Sequence, residues 1–200
     1  KPPAFDRQGV SIDDLIDFTP QLRAEATKVA SLYKLGPIFT PPVVSKWEGP
    51  RAMLMLPNAT GGANWQGGSL DPETGIYYIF SNTNISALGL IHDASRSDMD
   101  FIQGTAPNPN PAPVAGATAG GGGGGGEGGG TLTVQGLPLV KPPYGRITAL
   151  DLNNGDMVWQ IAHGETPDNI RNHPALKGLN IPRTGRQGRI GTLVTKTLLV

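Results

Sequence analysis

The chain has 200 residues, 16 basic and 16 acidic side chains, and no Cys. Gly and Pro, at 29 and 19 residues, make up about a quarter of it, twice the share usual in soluble proteins. That composition excludes a long coiled coil, a disulfide framework, a zinc ribbon and thiol catalysis, and the balanced charge argues against nucleic acid as a partner.

No apolar run approaches the ~18 residues of a membrane span. The chain opens on Lys1-Pro2-Pro3 without a signal pattern and stops inside a β-rich stretch, Ile190 to Val200. Residues 1–200 are therefore expected to be a fragment of a single domain. Residues 1 to 19 read as an irregular lead-in. One helix is predicted over residues 20 to 34. Thr19 suits the cap and Pro20 the first position, and Leu22, Ala26, Val29, Ala30 and Tyr33 recur at helical spacing. Gly36-Pro37 is the expected stop.

The pattern then turns to strands. Met53 to Leu56, Ile76 to Phe80, Arg146 to Leu150 and Met157 to Ile161 are short, apolar and rich in β-branched or aromatic residues. Leu193-Val194 and Leu198-Leu199-Val200 could form a hairpin. Residues 104 to 130 are low in complexity, first alternating Pro and then almost all Gly. With no apolar surface to offset ordering entropy, this insert is expected to be flexible. It lacks the Lys-Ser/Thr pair of a phosphate-binding loop.

Ser69-Leu70-Asp71-Pro72-Glu73-Thr74-Gly75 repeats, 80 residues later, as Ala149-Leu150-Asp151-Leu152-Asn153-Asn154-Gly155. In each copy a strand delivers Asp into a tight turn, Gly takes the position needing positive φ, and the chain returns as a second strand. Subtracting the insert leaves a period of about 50 residues, which points to a β-propeller. The fold class expected is all-β: a partial propeller of antiparallel four-stranded blades, with one short helix and a long disordered insert.

Copy two, continued through Asp156-Met157-Val158-Trp159, resembles the tryptophan-docking motif of quinoprotein dehydrogenases, eight-bladed propellers that carry pyrroloquinoline quinone (PQQ). The resemblance implies structural docking roles for Asp151, Gly155 and Trp159, with Trp159 packed between blades. Asn154 stands where the family has Thr. Gly61-Gly62-Ala63-Asn64-Trp65 is similar to the stretch where this family sets an Asn-Trp pair beside the cofactor. Asn64 and Trp65 are thereby implied as cofactor-binding residues: an amide with donor and acceptor, and a flat indole. Gly191-Thr192-Leu193-Val194-Thr195 resembles the opening of a later blade. Many members carry a cofactor-contacting Trp just before that Gly. Arg189 or Ile190 stands there in this chain, and Arg189 is the named candidate.

The resemblance is closest to the membrane-associated glucose-dehydrogenase-like branch. It implies oxidation of an alcohol or sugar hydroxyl, hydride transfer to PQQ, and electrons passing to ubiquinone or a cytochrome. It also implies a calcium ion, a periplasmic or periplasm-facing location on the inner membrane, and packing against the remaining propeller blades. The family's catalytic Asp, calcium ligands and adjacent-Cys pair match nothing in residues 1–200, so no catalytic residue is assigned. His92, His163 and His173 share no ligand spacing, Asp98-Met99-Asp100 lacks the rest of a calcium loop, and Asp13, Asp14 and Asp17 read as solvated. The alternatives are a non-catalytic propeller scaffold, or a lactonase-type propeller with a metal in its channel.

Overall fold

In a computed structural model of the chain, residues 4–110 and 132–200 are described. The first strand, β1 (Gly9–Val10), is followed by a single 3-10 turn (Ile12–Asp14) and the helix α1 (Pro20–Ala30). Next come β2 (Gly36–Pro37), β3 (Val43–Val44), β4 (Met53–Met55), β5 (Gly68–Asp71), β6 (Ile76–Asn82), β7 (Ser86–Ile91) and β8 (Ile102–Gln103). After the insert follow β9 (Thr133–Val134), β10 (Leu137–Pro138), β11 (Gly145–Asp151), β12 (Asp156–Ala162) and the short α2 (Asp168–Arg171). The architecture is mostly β and antiparallel, consistent with part of a propeller. No helix among the described residues is long and apolar enough to cross a membrane.

The helix starts as its sequence predicts. Thr19 Oγ1 accepts from the Leu22 N–H at 3.1 Å, Pro20 fills the first turn, and Leu22, Ala26 and Ala30 face the core. It ends at Ala30, short of the predicted residue 34. The cause is competition for backbone: Lys34 donates to the Ala52 carbonyl and accepts from Leu54 N–H, so it lies beside β4 and cannot continue the helix. The lead-in is less irregular than predicted. β1 pairs with β2, and Val10, Leu15 and Ile16 join Leu22, Leu54, Ile85, Leu137 and Leu139 in the main apolar cluster. Gly36-Pro37, predicted as a helix stop, is therefore a strand.

The central sheet has the order β12-β11-β6-β5, antiparallel throughout. This corrects the reading of the repeat. Its two copies are the β5–β6 and β11–β12 hairpins, and they lie side by side in one four-stranded sheet rather than in successive blades. Residues 83 to 144 leave and re-enter that sheet between its two middle strands, so the 80-residue offset measures an excursion, not a blade period. Both Asp-led turns lie at the same end: Asp151 is registered with Ile76, and Leu152 N–H donates to the Gly75 carbonyl.

A second small sheet forms around β7, which pairs with β4 and β8 antiparallel and with β3 parallel. The insert begins inside it. Gly104 N–H donates to the Gly89 carbonyl, and Ala106 N–H to Ser45 Oγ at 2.7 Å. Residues 104 to 106 are thus held, contrary to the flexible reading of the insert. Its residues 111–130 lie outside the described residues. At the chain's other end, Leu193 and Val200 exchange backbone bonds across a Val194–Leu199 bridge, as predicted for that hairpin.

Candidate functional site

β6 runs from the Asp71–Gly75 turn at one end of the sheet to Asn82 at the other, about 20 Å away for strand geometry. Two irregular segments meet at that far end. One is the Gly-rich loop of residues 58–67. The other is the segment 185–191, which crosses the start of β11. Asn82 holds both. Its N–H donates to the Gly62 carbonyl at 2.9 Å, its Nδ2 to the Gly188 carbonyl at 2.7 Å, and its Oδ1 accepts from Gly188 N–H at 2.9 Å. Gln187 Nε2 adds a bond to the Thr83 carbonyl at 2.9 Å.

Between the two segments lies a cleft lined by Thr60, Gly61, Asn64, Gln66, Asn82 and Arg189, among others. Its narrow part encloses about 40 Å³, room for ordered water. An adjoining depression of about 290 Å³ shares Thr60, Gly61, Asn82, Gly188 and Arg189 and adds Asn58, Asn84 and Gln187. Among the described residues Arg189 is the one charged side chain in either lining. The cleft is therefore polar, with a single basic group among amides, hydroxyls and glycines. Gly61, at φ +81°, sits where an L side chain is strained. A Cβ on Gly62 would overlap the Asp6 carboxylate.

The structure thus brings Asn64 and Arg189 to one cleft, although 125 residues separate them in sequence. The Asn64 carboxamide also shapes its own loop. Nδ2 donates to the Thr60 carbonyl at 2.5 Å, and Oδ1 accepts from Trp65 N–H at 2.7 Å. One N–H and one lone pair are left for a ligand. Trp65 follows at the rim, 83 % exposed, with its indole outside the lining.

Asp151 and Gly155 belong to the opposite end of the sheet, and Trp159 lies midway along β12. Asp151 Oδ1 accepts from Asn153 N–H at 2.8 Å, and Gly155, at φ +82°, closes the turn on the Asp151 carbonyl at 2.7 Å. Asn153 Nδ2 also bonds Asp151 Oδ1, much as the Thr74 hydroxyl bonds Asp71 in copy one. The half-buried Trp159 ring rests on Tyr78 of the same sheet, centroids 5.7 Å apart, across the fully buried Ala149.

Sequence reasoning missed Asn82, Gln187 and the charged pair behind the cleft, Asp6 and Arg146. The available signal was Asn82 itself: a lone amide ending an apolar, aromatic strand is a natural clamp for a neighbouring backbone. Behind the same wall, burial pushes the Tyr144 phenol well above its ordinary range and lowers Arg7, whose guanidinium bonds the Lys141 and Pro142 carbonyls. Among the described residues no three His, Cys, Asp or Glu side chains converge on a metal position.

The lining groups (a glycine floor, an open amide valence on Asn64 and the Arg189 guanidinium) are of the chemical type that suits PQQ, an anionic quinone, while the enclosed part beside Asn64 holds only about 40 Å³. Comparison with curated proteins finds no match. The profile of one family, described as PQQ: glucose/ethanol/alcohol dehydrogenase, beta-propeller domain, matches residues 1–200. A mostly antiparallel β-fold agrees with that match, and the chain belongs to the PQQ-dependent dehydrogenase β-propeller family.

Proposed function

We propose that the protein is part of a PQQ-dependent dehydrogenase that oxidises an alcohol or sugar hydroxyl, with the Asn64–Arg189 cleft forming one wall of the cofactor site. The observation that carries this reading is the meeting of those two residues over Gly61 and Gly62. When bound, the quinone supplies the two-electron acceptor for hydride from a substrate carbon.

Each residue has a definable task. Arg189 offsets the carboxylate charge of the cofactor. Asn64 offers its second N–H and its free lone pair to quinone oxygens, while its other bonds keep that amide from rotating away. Trp65 presents a flat apolar face at the rim. Gly61 and Gly62 leave room for close backbone approach. The proton-accepting carboxylate and the calcium site are assigned to parts of the enzyme outside this cleft. Electrons then pass to ubiquinone or a cytochrome in a periplasmic or periplasm-facing setting. Membership of the family supports both of these assignments.

The test is titration of the full-length apo-protein with PQQ, followed by dye-linked oxidation of a panel of sugars and primary alcohols. Saturable binding, weakened about tenfold or more by Arg189→Ala, is expected, since a hydrogen bond to a charged group is worth ~1.5–3 kcal/mol. A wild-type protein that folds but binds no PQQ would leave a non-catalytic propeller scaffold as the better reading.

A further inference from the structure

The Gly61–Trp65 loop rests on a buried charge. Asp6, in the lead-in, and Arg146, in β11, form an ion pair at 3.1 Å with side chains only 7 % and 3 % exposed. Asp6 Oδ1 also accepts from Arg7 N–H at 2.7 Å, and Arg146 Nη2 also donates to Thr83 Oγ1. The other carboxylate oxygen, Asp6 Oδ2, is buried and makes no hydrogen bond among the described residues. It lies where a Cβ on Gly62 would stand. Charges are not left in such a place without a reason: a desolvated ion pair is weak evidence of stabilisation, and apolar residues of similar volume commonly do as well.

The location suggests what the pair does. Arg146 is registered with Ser81, next to Asn82, so it reaches the strand end that holds the loop. Thr83, its second acceptor, follows Asn82 and takes Gln187 on its carbonyl. Asp6 abuts the loop from beneath. The pair therefore touches the Gly62 wall of the cleft directly and the Gly188 wall through Thr83.

We propose that Asp6 and Arg146 are a positioning pair: their buried contact fixes Gly62 on the sheet end, and so sets the place of Asn64 and Arg189 across the cleft. The carboxylate limits how far Gly62 can sink, and the guanidinium prevents the carboxylate from leaving. Neither residue lines the cleft.

The experiment is peptide-resolved hydrogen–deuterium exchange on the full-length apo-protein, paired with PQQ titration. The affinity arm rests on the cofactor reading above; the exchange arm does not. In Asp6→Asn, residues 60–66 should exchange about tenfold faster or more, β12 should be unchanged, and the PQQ Kd should rise about tenfold. Gly62→Ala, whose backbone φ is ordinary, probes the same contact from the loop side and should also loosen residues 60–66. Thr83→Val keeps both charges and nearly the same volume. It is the variant to read if Asp6→Asn does not fold, with a smaller change of the same sign expected. Faster loop exchange in a wild-type background that binds no PQQ would uphold the positioning role and overturn the cofactor reading. Unchanged exchange at residues 60–66 in the folded variants, or a rise spread equally over β12, would overturn the positioning role.

Discussion

The Asn82 carboxamide pairs with Gly188 through both of its polar atoms, in the two-point manner of one strand residue pairing with another. A side chain thus extends the sheet by one rung and anchors a segment that has no regular structure. Asn82→Asp keeps the shape but turns the donor into a second acceptor, so the Gly188 carbonyl faces a carboxylate. A loss of ~1–3 kcal/mol is expected, because a partly buried acceptor is left without its donor. Urea unfolding measures it, and a midpoint equal to wild type would show that the segment is held elsewhere.

The Asn64 carboxamide closes its own loop, and under the proposed function it also meets the ligand; two substitutions test that role. Asn64→Asp retains the acceptor for Trp65 N–H but loses the donor to Thr60. Asn64→Ala loses both. Both should weaken PQQ binding about tenfold or more. Asn64→Asp should be at least as harmful to affinity, since it places a negative charge beside an anionic ligand. Wild-type affinity in both would remove Asn64 from the site.

Trp65 is largely exposed, so its removal should hardly touch the fold. Trp65→Ala is expected to change stability by no more than about 0.5 kcal/mol while reducing PQQ affinity. A fall in the thermal midpoint without any loss of affinity would reverse that assignment.

The Tyr78–Trp159 contact is a packing interaction within one sheet. A double-mutant cycle with Tyr78→Leu and Trp159→Leu should return a coupling of about 0.5–1.5 kcal/mol, the value of an aromatic pair beyond its buried area. Zero coupling by denaturant unfolding would mean that the two rings stabilise the sheet independently.

The Asp71 carboxyl is held below its ordinary range, chiefly by the Thr74 hydroxyl and then by the Glu73 N–H. Its folded value lies below its unfolded one. The turn's contribution is therefore complete above the unfolded carboxylate range and is lost as pH falls through the folded value. Thr74→Val removes the largest cause, and the Asp71 titration should move up toward the usual carboxylate range. NMR titration of the side-chain carboxyl carbon follows this directly; an unmoved midpoint would assign the shift to the backbone bonds alone.

The sequence by itself determined what short-range chemistry controls. Thr19-Pro20 starts a helix wherever an apolar face can receive it, and Asp followed four residues later by Gly closes a turn whichever sheet it joins. The order of residue types also carried the family likeness and pointed to Asn64 and Arg189. It could not show that the two hairpins share a sheet, because β6 and β11 pair across more than sixty intervening residues and either could have paired elsewhere. Nor could it stop the helix at Ala30, since Lys34 was drawn away by β4, a competitor from further along the chain. Only the tertiary structure brought Asn64 and Arg189 to one cleft, through the Asn82 clamp and the Asp6–Arg146 pair beneath it. Those contacts depend on distant segments meeting in a buried place where an unmatched amide or charge is costly, and no local pattern encodes such a meeting.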